Sequence, residues 1–579
     1  MHLPFRELCS RVSSTRIALP LIFLGASFAL YGNSLLGDFV YDDNYFRIQG
    51  AIRDVSYLWR AWMAPTLPDM LSFPLYRPLT YVTYSLNFLV LGDSPFWFHV
   101  VNVLLNGLAC WLVFLIAERL FRERTLAWCT AGFFTILPIH TEAVAYIKAR
   151  DELLVACLGL LAWLAFLRAL EGTARQRVAW SIGSALCCLA AFLSKEPALV
   201  LPGVFAGSLL LLHGWRAVLG AWFPLASQGA AMLAFFGLHG LAVGWTGIPD
   251  VEILYFGQNP LGFMEPRFVP WTAIELFFVA VAKTFVPVHL SATYGFQHLP
   301  IIDSPLGSWM APAGLLCAVT LVLLIGLPYT RRAPLGIGAL TFLVLYFPFS
   351  KIPMVKGIDF FAERWLYGPS IGLSFIGGYA AWMAWKRCRQ LAPVLFISVI
   401  VAYLFVLLPR NLVWRDETSL GESMVRDAPN SVVSYVCLAN NRVQSGRFDE
   451  ALELVTRGLQ ITRYHVPLHH TAAVVAMSMG QLDVAEQAIT EAEYLGAEQT
   501  NDVLRSVLLA KQHRFQESLD RIRASPWFRE EDYGIRQLLA LDLWRLGRRD
   551  EAERFFDWDS FAPYGRMTRE EKIQMIESY

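Results

Sequence analysis

The sequence predicts an all-α, polytopic membrane protein with about eleven transmembrane helices and a C-terminal α-solenoid. Three observations carry this. Of 579 residues, 55% are hydrophobic and 17% charged, with a mean hydropathy of +0.43; a soluble domain carries roughly 25% charged residues. The charge is also unevenly spread: 47 of the 169 residues from Asn411 onward are charged, against 49 of the first 410. Finally, the charge-rich part has a repeat near 34 residues. Together these exclude a cytosolic globular enzyme, a disordered chain and a disulfide-stapled secreted module. Net charge is zero, so nothing points to nucleic acid. The nine cysteines are scattered, mostly in apolar runs, and read as buried thiols rather than a metal or disulfide framework.

A spanning helix needs about 20 mostly apolar residues, 17 at the short end. The segments that qualify are 17–36, 97–117, 126–146, 153–170, 178–194, 197–213, 222–246, 308–328, 334–350, 366–385 and 391–409. A further apolar stretch, 271–290, carries Lys283 in its middle and Pro287 near its end. Cytoplasmic loops are enriched in Lys and Arg. Arg6, Arg11 and Arg16 precede the first span and place the N-terminus inside, on an uncleaved anchor. The loops with Arg119, Arg122 and Arg124, with Arg168, Arg175 and Arg177, with Arg216, with Arg331 and Arg332, and with Lys386, Arg387 and Arg389 all fall inside if 271–290 enters and leaves on the outer side. The C-terminal part is then outside. This gives a transmembrane domain over 1–409, with a first outer loop at 37–96, a linker over 410–429 and a repeat domain over 430–579.

Most of the unusual polar residues fall on the outer side. The first outer loop reads GDFVYDDNYF, with Asp42 and Asp43, and later YRPLT, with Tyr76 and Arg77. The third span ends LPIHTEAVAYIKARDELL, with His140, Glu142, Lys148 and Arg150. Lys195 and Glu196 join two spans, and the loop at 351–365 holds Lys351, Lys356, Asp359, Glu363 and Arg364. A charge at the bilayer centre costs about 2.5–3.5 kcal/mol on insertion scales. Five charged clusters on one side therefore point to a shared polar cavity at the outer face. The alternative for any one of them is a juxtamembrane anchor or a helix cap.

ATP and nucleotide sugars are absent outside the cytoplasm, and the sequence has no Walker loop or GxGxxG unit. An energised group there arrives on a membrane carrier such as a polyprenyl-phosphate sugar. Displacement at its anomeric carbon needs cations for the leaving phosphate and one carboxylate base for the acceptor hydroxyl.

The segments FVYDD (39–43), YRPLTYVTYSLN (76–87), FHVVNVLLNGL (98–108), LPIHTEAVAYIKARDELL (137–154) and FAERWLYGPSIG (361–372) resemble the transmembrane-and-tetratricopeptide-repeat (TMTC) protein O-mannosyltransferases and their bacterial relatives. The likeness runs in order along nearly the whole membrane part. It implies an inverting, metal-independent transferase of the lipid-phosphate-sugar-dependent class, with its active site at the outer or lumenal face. The acidic pair Asp42 and Asp43 then supplies the base, with His140 and Glu142 beside it. Arg77, Lys148, Arg150, Lys195 and Arg364 are candidate binders of the donor phosphate, supported by Tyr76 and Glu363. The alternative for each cation is ion pairing with a neighbouring carboxylate. A metal held by His140 and Glu142 beside the aspartates is the other reading of that pair; a lone His near one carboxylate is more often simply hydrogen-bonded, so no metal and no cofactor are expected. The sequence departs from the animal pattern in its short repeat region and in YIKARDELL, where animal members have a Gly-Arg-Ala-Asp type of turn.

In the C-terminal part Gly446, Phe448 and Ala451 recur as Gly480, Leu482 and Ala485, then as His513, Phe515 and Ser518, then as Gly547, Arg549 and Ala552. This helix–turn–helix period is the tetratricopeptide signature and predicts about four repeats. They read as a holder for a protein or peptide acceptor, or else as a cap on the membrane part.

The expected function is a membrane glycosyltransferase that moves a sugar, mannose by the resemblance, from a polyprenyl-phosphate donor to Ser/Thr hydroxyls of exported proteins. The alternatives are a transferase acting on a lipid or cell-surface glycan and a non-catalytic scaffold that displays repeats. The compact repeat region points to a bacterial inner membrane with the site and repeats on the periplasmic side; in a eukaryote this would be the lumenal side of the endoplasmic reticulum.

Overall fold

A computed structural model of the chain describes residues 5–44, 50–66, 75–244, 257–353, 359–496, 499–526, 528, 533–555 and 574. The predicted Lys356 lies outside them. Helices account for all the regular structure among the described residues. The membrane part comprises α1 (Phe5–Tyr31), α2 (Pro78–Leu91), α3 (Pro95–Phe121), α4 (Arg124–Ile136), α5 (Arg150–Glu171), α6 (Ala174–Phe192), α7 (Leu201–His213), α8 (Trp222–Val243), α9 (Phe268–Phe285), α10 (Met310–Gly326), α11 (Pro334–Tyr346), α12 (Ser370–Arg387) and α13 (Ala392–Val413). Their starts follow local chemistry. Pro78, Pro95 and Pro334 occupy first positions, where the missing N–H is no loss. Glu123 caps α4, and Thr173 with Gln176 forms a capping box on α6.

The number of long apolar helices is smaller than the eleven spans expected. Among the described residues seven helical stretches are long and apolar enough to cross a membrane: Ala18–Leu36, Pro95–Phe121, Ile147–Glu171, Glu196–His213, Trp222–Val243, Phe268–Phe285 and Ala392–Val413. Met310–Gly326 and Pro334–Phe349 are apolar but shorter. The predicted span 126–146 is broken. Pro138 biases Leu137 to an extended backbone (φ −64°, ψ 117°), so α4 stops at Ile136 and the chain continues through short turns over 138–149. Helix α9 is continuous where a re-entrant segment was expected. Its Phe277 and Phe278 meet Tyr346 at the end of α11 and Trp309 at the start of α10, and Phe285 meets Phe133 near the end of α4.

Small residues let the helices approach closely. A Cβ on Gly372 would sit 2.3 Å from the Phe342 backbone nitrogen, and one on Gly378 would sit 2.4 Å from the Thr130 hydroxyl. These two sites fix how α12 crosses α11 and α4, as small residues do between membrane helices.

The stretch 410–429, expected to be a linker, is the end of α13 followed by α14 (Glu417–Asp427), capped by Asp416. Four helical hairpins follow: α15 (Val432–Gln444) with α16 (Phe448–Ile461), α17 (Val466–Ser478) with α18 (Leu482–Leu495), α19 (Gln499–Lys511) with α20 (Phe515–Ala524), and α21 (Tyr533–Arg545) with α22 (Arg549–Glu553). The repeat register in the sequence has a backbone cause. Gly446, Gly480, His513 and Gly547 all take positive φ, at 70°, 75°, 61° and 75°. Five residues further on, Ala451, Ala485, Ser518 and Ala552 are fully buried where the paired helices touch.

The first hairpin is packed against the membrane part. One apolar cluster contains Val40, Ala145, Tyr146 and Ala149 together with Trp414, Leu420, Met424 and Val432. Trp414 is buried and stacks on Tyr146 with ring centroids 4.8 Å apart.

Candidate active site

The acidic pair sits on a tight turn just after α1. Tyr41 adopts a left-handed backbone (φ 54°), uncommon outside glycine. The Asp43 backbone N–H donates to the Val40 carbonyl, and the Val40 N–H donates back to the Asp43 carboxylate, each at 3.0 Å. The other Asp43 oxygen accepts the Lys148 backbone N–H at 2.8 Å. Asp43 is fully buried. Burial pushes its carboxyl well above the usual carboxylate range, opposed by those two N–H donors. Asp42 differs: its side chain is 23% exposed and pairs with the Lys148 ammonium, itself 30% exposed.

The turns that follow Pro138 bring three predicted residues to the same end of the bundle, with different outcomes. Glu142 accepts the Arg364 backbone N–H at 2.9 Å and pairs with its guanidinium. That guanidinium also pairs with Asp359. Burial opposes ionisation of Asp359, but Arg364, Gln258 and Lys351 together hold its carboxyl below the usual range. Lys351 is buried, donates to the Asp359 carbonyl and lies over the Trp365 ring at 5.3 Å. Burial lowers its ammonium to about 8, with Asp359 opposing. The sequence had marked Asp359 and Lys351 only as members of a charged loop; their pairing is set by folding and has no sequence signature.

His140 does not join the carboxylates. Its ring lies between Phe134 and Tyr367, with centroids at 4.4 and 4.6 Å, and its Nε2 shares a hydrogen bond with the Ser370 hydroxyl at 2.8 Å. The expected catalytic histidine is thus a packed core residue. His140 and Glu142 turn to different partners, and among the described residues no three His, Cys, Asp or Glu side chains converge as metal ligands.

Arg150 also departs from expectation. It is fully buried at the start of α5 and donates to Asn87 (2.7 Å), Asn102 (2.9 Å) and the Phe98 carbonyl (3.1 Å), with Tyr84 4.7 Å below its plane. Its donors face α2 and α3, so it ties helices together instead of meeting a phosphate.

Arg77 and Lys195 belong to one five-residue network. Arg77 bonds Glu196 (2.9 Å) and Asp151 (2.9 Å); Lys195 bonds Asp151 (3.0 Å) and Glu152 (2.7 Å). The acidic first turn of α5 suits a helix N-terminus. On the wetter side of the network are Arg77, with a side chain 21% exposed, and Glu196, 35% exposed; Lys195 is buried.

The two supporting residues face elsewhere. The Tyr76 hydroxyl donates to the Trp62 carbonyl at 2.9 Å. Glu363 is fully buried and accepts the Ser291 N–H at 2.6 Å, the Tyr294 hydroxyl and Arg410 at 3.3 Å. It anchors the end of α13.

Tyr146 belongs to the same segment, its ring 6.3 Å from that of Tyr41 and 4.8 Å from that of Trp414. The structure therefore brings Asp42, Lys148, Glu142, Arg364, Asp359 and Lys351 to one end of the bundle, with the Arg77–Lys195 network beside them. A cleft of about 220 Å³ lined by Leu115, Glu118, Arg119, Leu164 and Arg168 lies at the opposite ends of α3 and α5, some 30 Å away at 1.5 Å per residue; it is not the pocket expected from the outer charges.

Comparison with known proteins gives the chemistry a context. Residues 74–239 match the family model of dolichyl-phosphate-mannose-protein mannosyltransferases. The human protein O-mannosyl-transferase TMTC1 is 26% identical over 490 residues, which is 77% of this chain and 55% of that protein. The mouse protein O-mannosyl-transferase TMTC4 is 25% identical over 483 residues, 74% of this chain and 64% of that protein. The chain thus spans about half to two thirds of the length of these curated relatives. Among solved structures, ArnT from Cupriavidus metallidurans bound to undecaprenyl phosphate matches with a TM-score of 0.43 and 13% identity, over 87% of this chain and 79% of that one. By sequence, along about three quarters of its length, the chain is similar to the TMTC protein O-mannosyl-transferases.

Proposed function

We propose that the protein is a membrane glycosyltransferase that moves a mannosyl group from a polyprenyl-phosphate carrier to the hydroxyl of a Ser or Thr on an exported protein, at the outer face of the membrane. The observation that carries this reading is the pair Asp42–Lys148, part-exposed and next to the Glu142–Arg364–Asp359 group, in a chain similar to protein O-mannosyl-transferases.

The geometry favours Asp42 over Asp43 as the base. Both Asp43 oxygens already accept backbone N–H groups, and the side chain is buried. Asp42 has exposed surface and one exchangeable partner. In the reaction the acceptor hydroxyl oxygen attacks the anomeric carbon and the bond from that carbon to the phosphate oxygen breaks. The hydroxyl proton passes to the Asp42 carboxylate, and the lipid phosphate leaves with the bonding electrons. Single displacement inverts the anomeric centre. Lys148, released from Asp42 as the carboxylate is neutralised, is placed to meet the leaving phosphate, together with Arg364 and the exposed side of Arg77. Arg and Lys both suit phosphate, Arg through paired donors. The helical hairpins beside the site hold the acceptor chain.

The test is transfer of radiolabelled mannose from a synthetic polyprenyl-phosphate mannose to a Ser/Thr-rich peptide by the purified full chain in lipid nanodiscs. Transfer by the wild type and its loss in Asp42→Asn support the reading. No transfer by the wild type with peptide, lipid or glycan acceptors overturns it.

A further inference from the structure

We infer that Glu417, on the first helix after the membrane part, is a positioning residue that locks the acidic turn, so that the C-terminal part controls how Asp42 is presented. This rests on the reading of Asp42 as the base.

The Tyr41 N–H donates to the Glu417 carboxylate at 2.8 Å, and the Asn44 amide donates to the same oxygen at 3.2 Å. One carboxylate oxygen therefore grips both ends of the segment Tyr41–Asn44, with Asp42 and Asp43 between them. The grip acts on a strained element. Tyr41 has φ 54°, and a left-handed backbone at a residue with a Cβ is unfavourable, so the turn needs an external hold. Two further contacts come from the same short stretch. The Asp38 N–H donates to the Arg415 carbonyl at 2.7 Å, and Trp414 stacks on Tyr146, whose ring lies 6.3 Å from that of Tyr41. Glu417 is itself fixed at the start of α14, where Asp416 caps the helix by accepting the Ser419 N–H at 2.7 Å. Residues 414–417 thus form a bracket around the turn that carries the proposed base, and among the described residues Glu417 bonds Tyr41 and Asn44 rather than a group that would meet the donor.

The experiment compares full-length wild type, Glu417→Ala, Glu417→Gln and the double variant Glu417→Ala/Tyr41→Gly in nanodiscs. Two readouts are used: amide hydrogen exchange of peptides covering residues 38–44, and mannose transfer. Glu417→Ala speeds exchange in those peptides at least about tenfold and lowers kcat about tenfold, with the KM for the lipid donor unchanged. Glu417→Gln keeps an accepting oxygen and restores both readouts. Tyr41→Gly relieves the backbone strain and restores much of kcat in the Glu417→Ala background, which a general loss of packing would not allow. Unchanged exchange in Glu417→Ala overturns the lock, as does a loss of kcat that neither Glu417→Gln nor Tyr41→Gly repairs. If exchange responds as stated but no variant, wild type included, transfers mannose, the transferase reading fails while the lock stands.

Discussion

The backbone N–H of Lys148 donates to Asp43 at 2.8 Å while its side-chain ammonium pairs with Asp42. One residue therefore holds both members of the acidic pair but in unlike ways, through a buried backbone contact and through a part-exposed ion pair.

That asymmetry separates two substitutions. Asp42→Asn removes the base and lowers transfer by about 10²–10⁴-fold with little change in the thermal midpoint. Asp43→Asn turns an amide NH2 toward backbone donors and costs about 1–3 kcal/mol of stability. Measuring kcat and thermal unfolding on both variants decides; equal loss of transfer at full stability in Asp43→Asn would return the base to Asp43.

Arg150 behaves as a structural tie. Arg150→Met strands the buried acceptors Asn87 and Asn102 and costs about 1–3 kcal/mol for each. Folded yield and unfolding temperature fall, while donor affinity per folded molecule stays at the wild-type value. A selective loss of donor binding in a stable Arg150 variant would show that it meets the phosphate after all.

Lys351 gives a pH signature. Its folded ammonium sits at about 8, below its ordinary value near 10.4. Between those values the unfolded chain binds more proton, so stability rises with pH there, and the burial cost is constant below pH 8. The thermal midpoint of the wild type, compared with Lys351→Met, therefore climbs between pH 8 and 10. A flat difference across that window would contradict the burial of a charged Lys351.

Gly372→Ala should fail at the crossing of α11 and α12. Its Cβ would lie 2.3 Å from the Phe342 nitrogen and 2.4 Å from the Gly338 carbonyl oxygen, both backbone atoms that cannot swing aside. The cost is about 1–3 kcal/mol or more, read as lost thermal stability; Gly132→Ala, with open space around it, is the control.

His513→Gly should stabilise the third hairpin. His513 takes φ 61° at the turn where Gly446, Gly480 and Gly547 stand in the other repeats. Glycine removes the steric cost of that backbone, for a gain of about 0.5–1 kcal/mol in urea unfolding of the full chain. A loss would mean that the ring contact with Phe515 at 5.9 Å outweighs the strain.

The hairpins were legible because a turn that needs positive φ and a contact that needs a small residue both leave a mark in sequence. The gathering of charges at one end was legible from alternation of apolar spans. Pairing was not. Nothing local to Arg150 says that it reaches Asn87 and not a phosphate, and His140 reads as chemistry until Phe134 and Tyr367 are seen to enclose it. The third span was misjudged because hydropathy averages over Pro138, whereas the backbone stops there. The linker at 410–429 was misjudged because charge content marks exposure but says nothing of Asp416 starting a helix.

The bond between Tyr41 and Glu417 joins residues 376 positions apart. A ribosome adding about 5–20 residues per second needs roughly 20–75 seconds to make the second after the first. During that interval the nascent chain already carries its acidic turn, but without the clasp that shapes it. The turn takes its final shape only once the last membrane helix has been made and the chain beyond it has folded back.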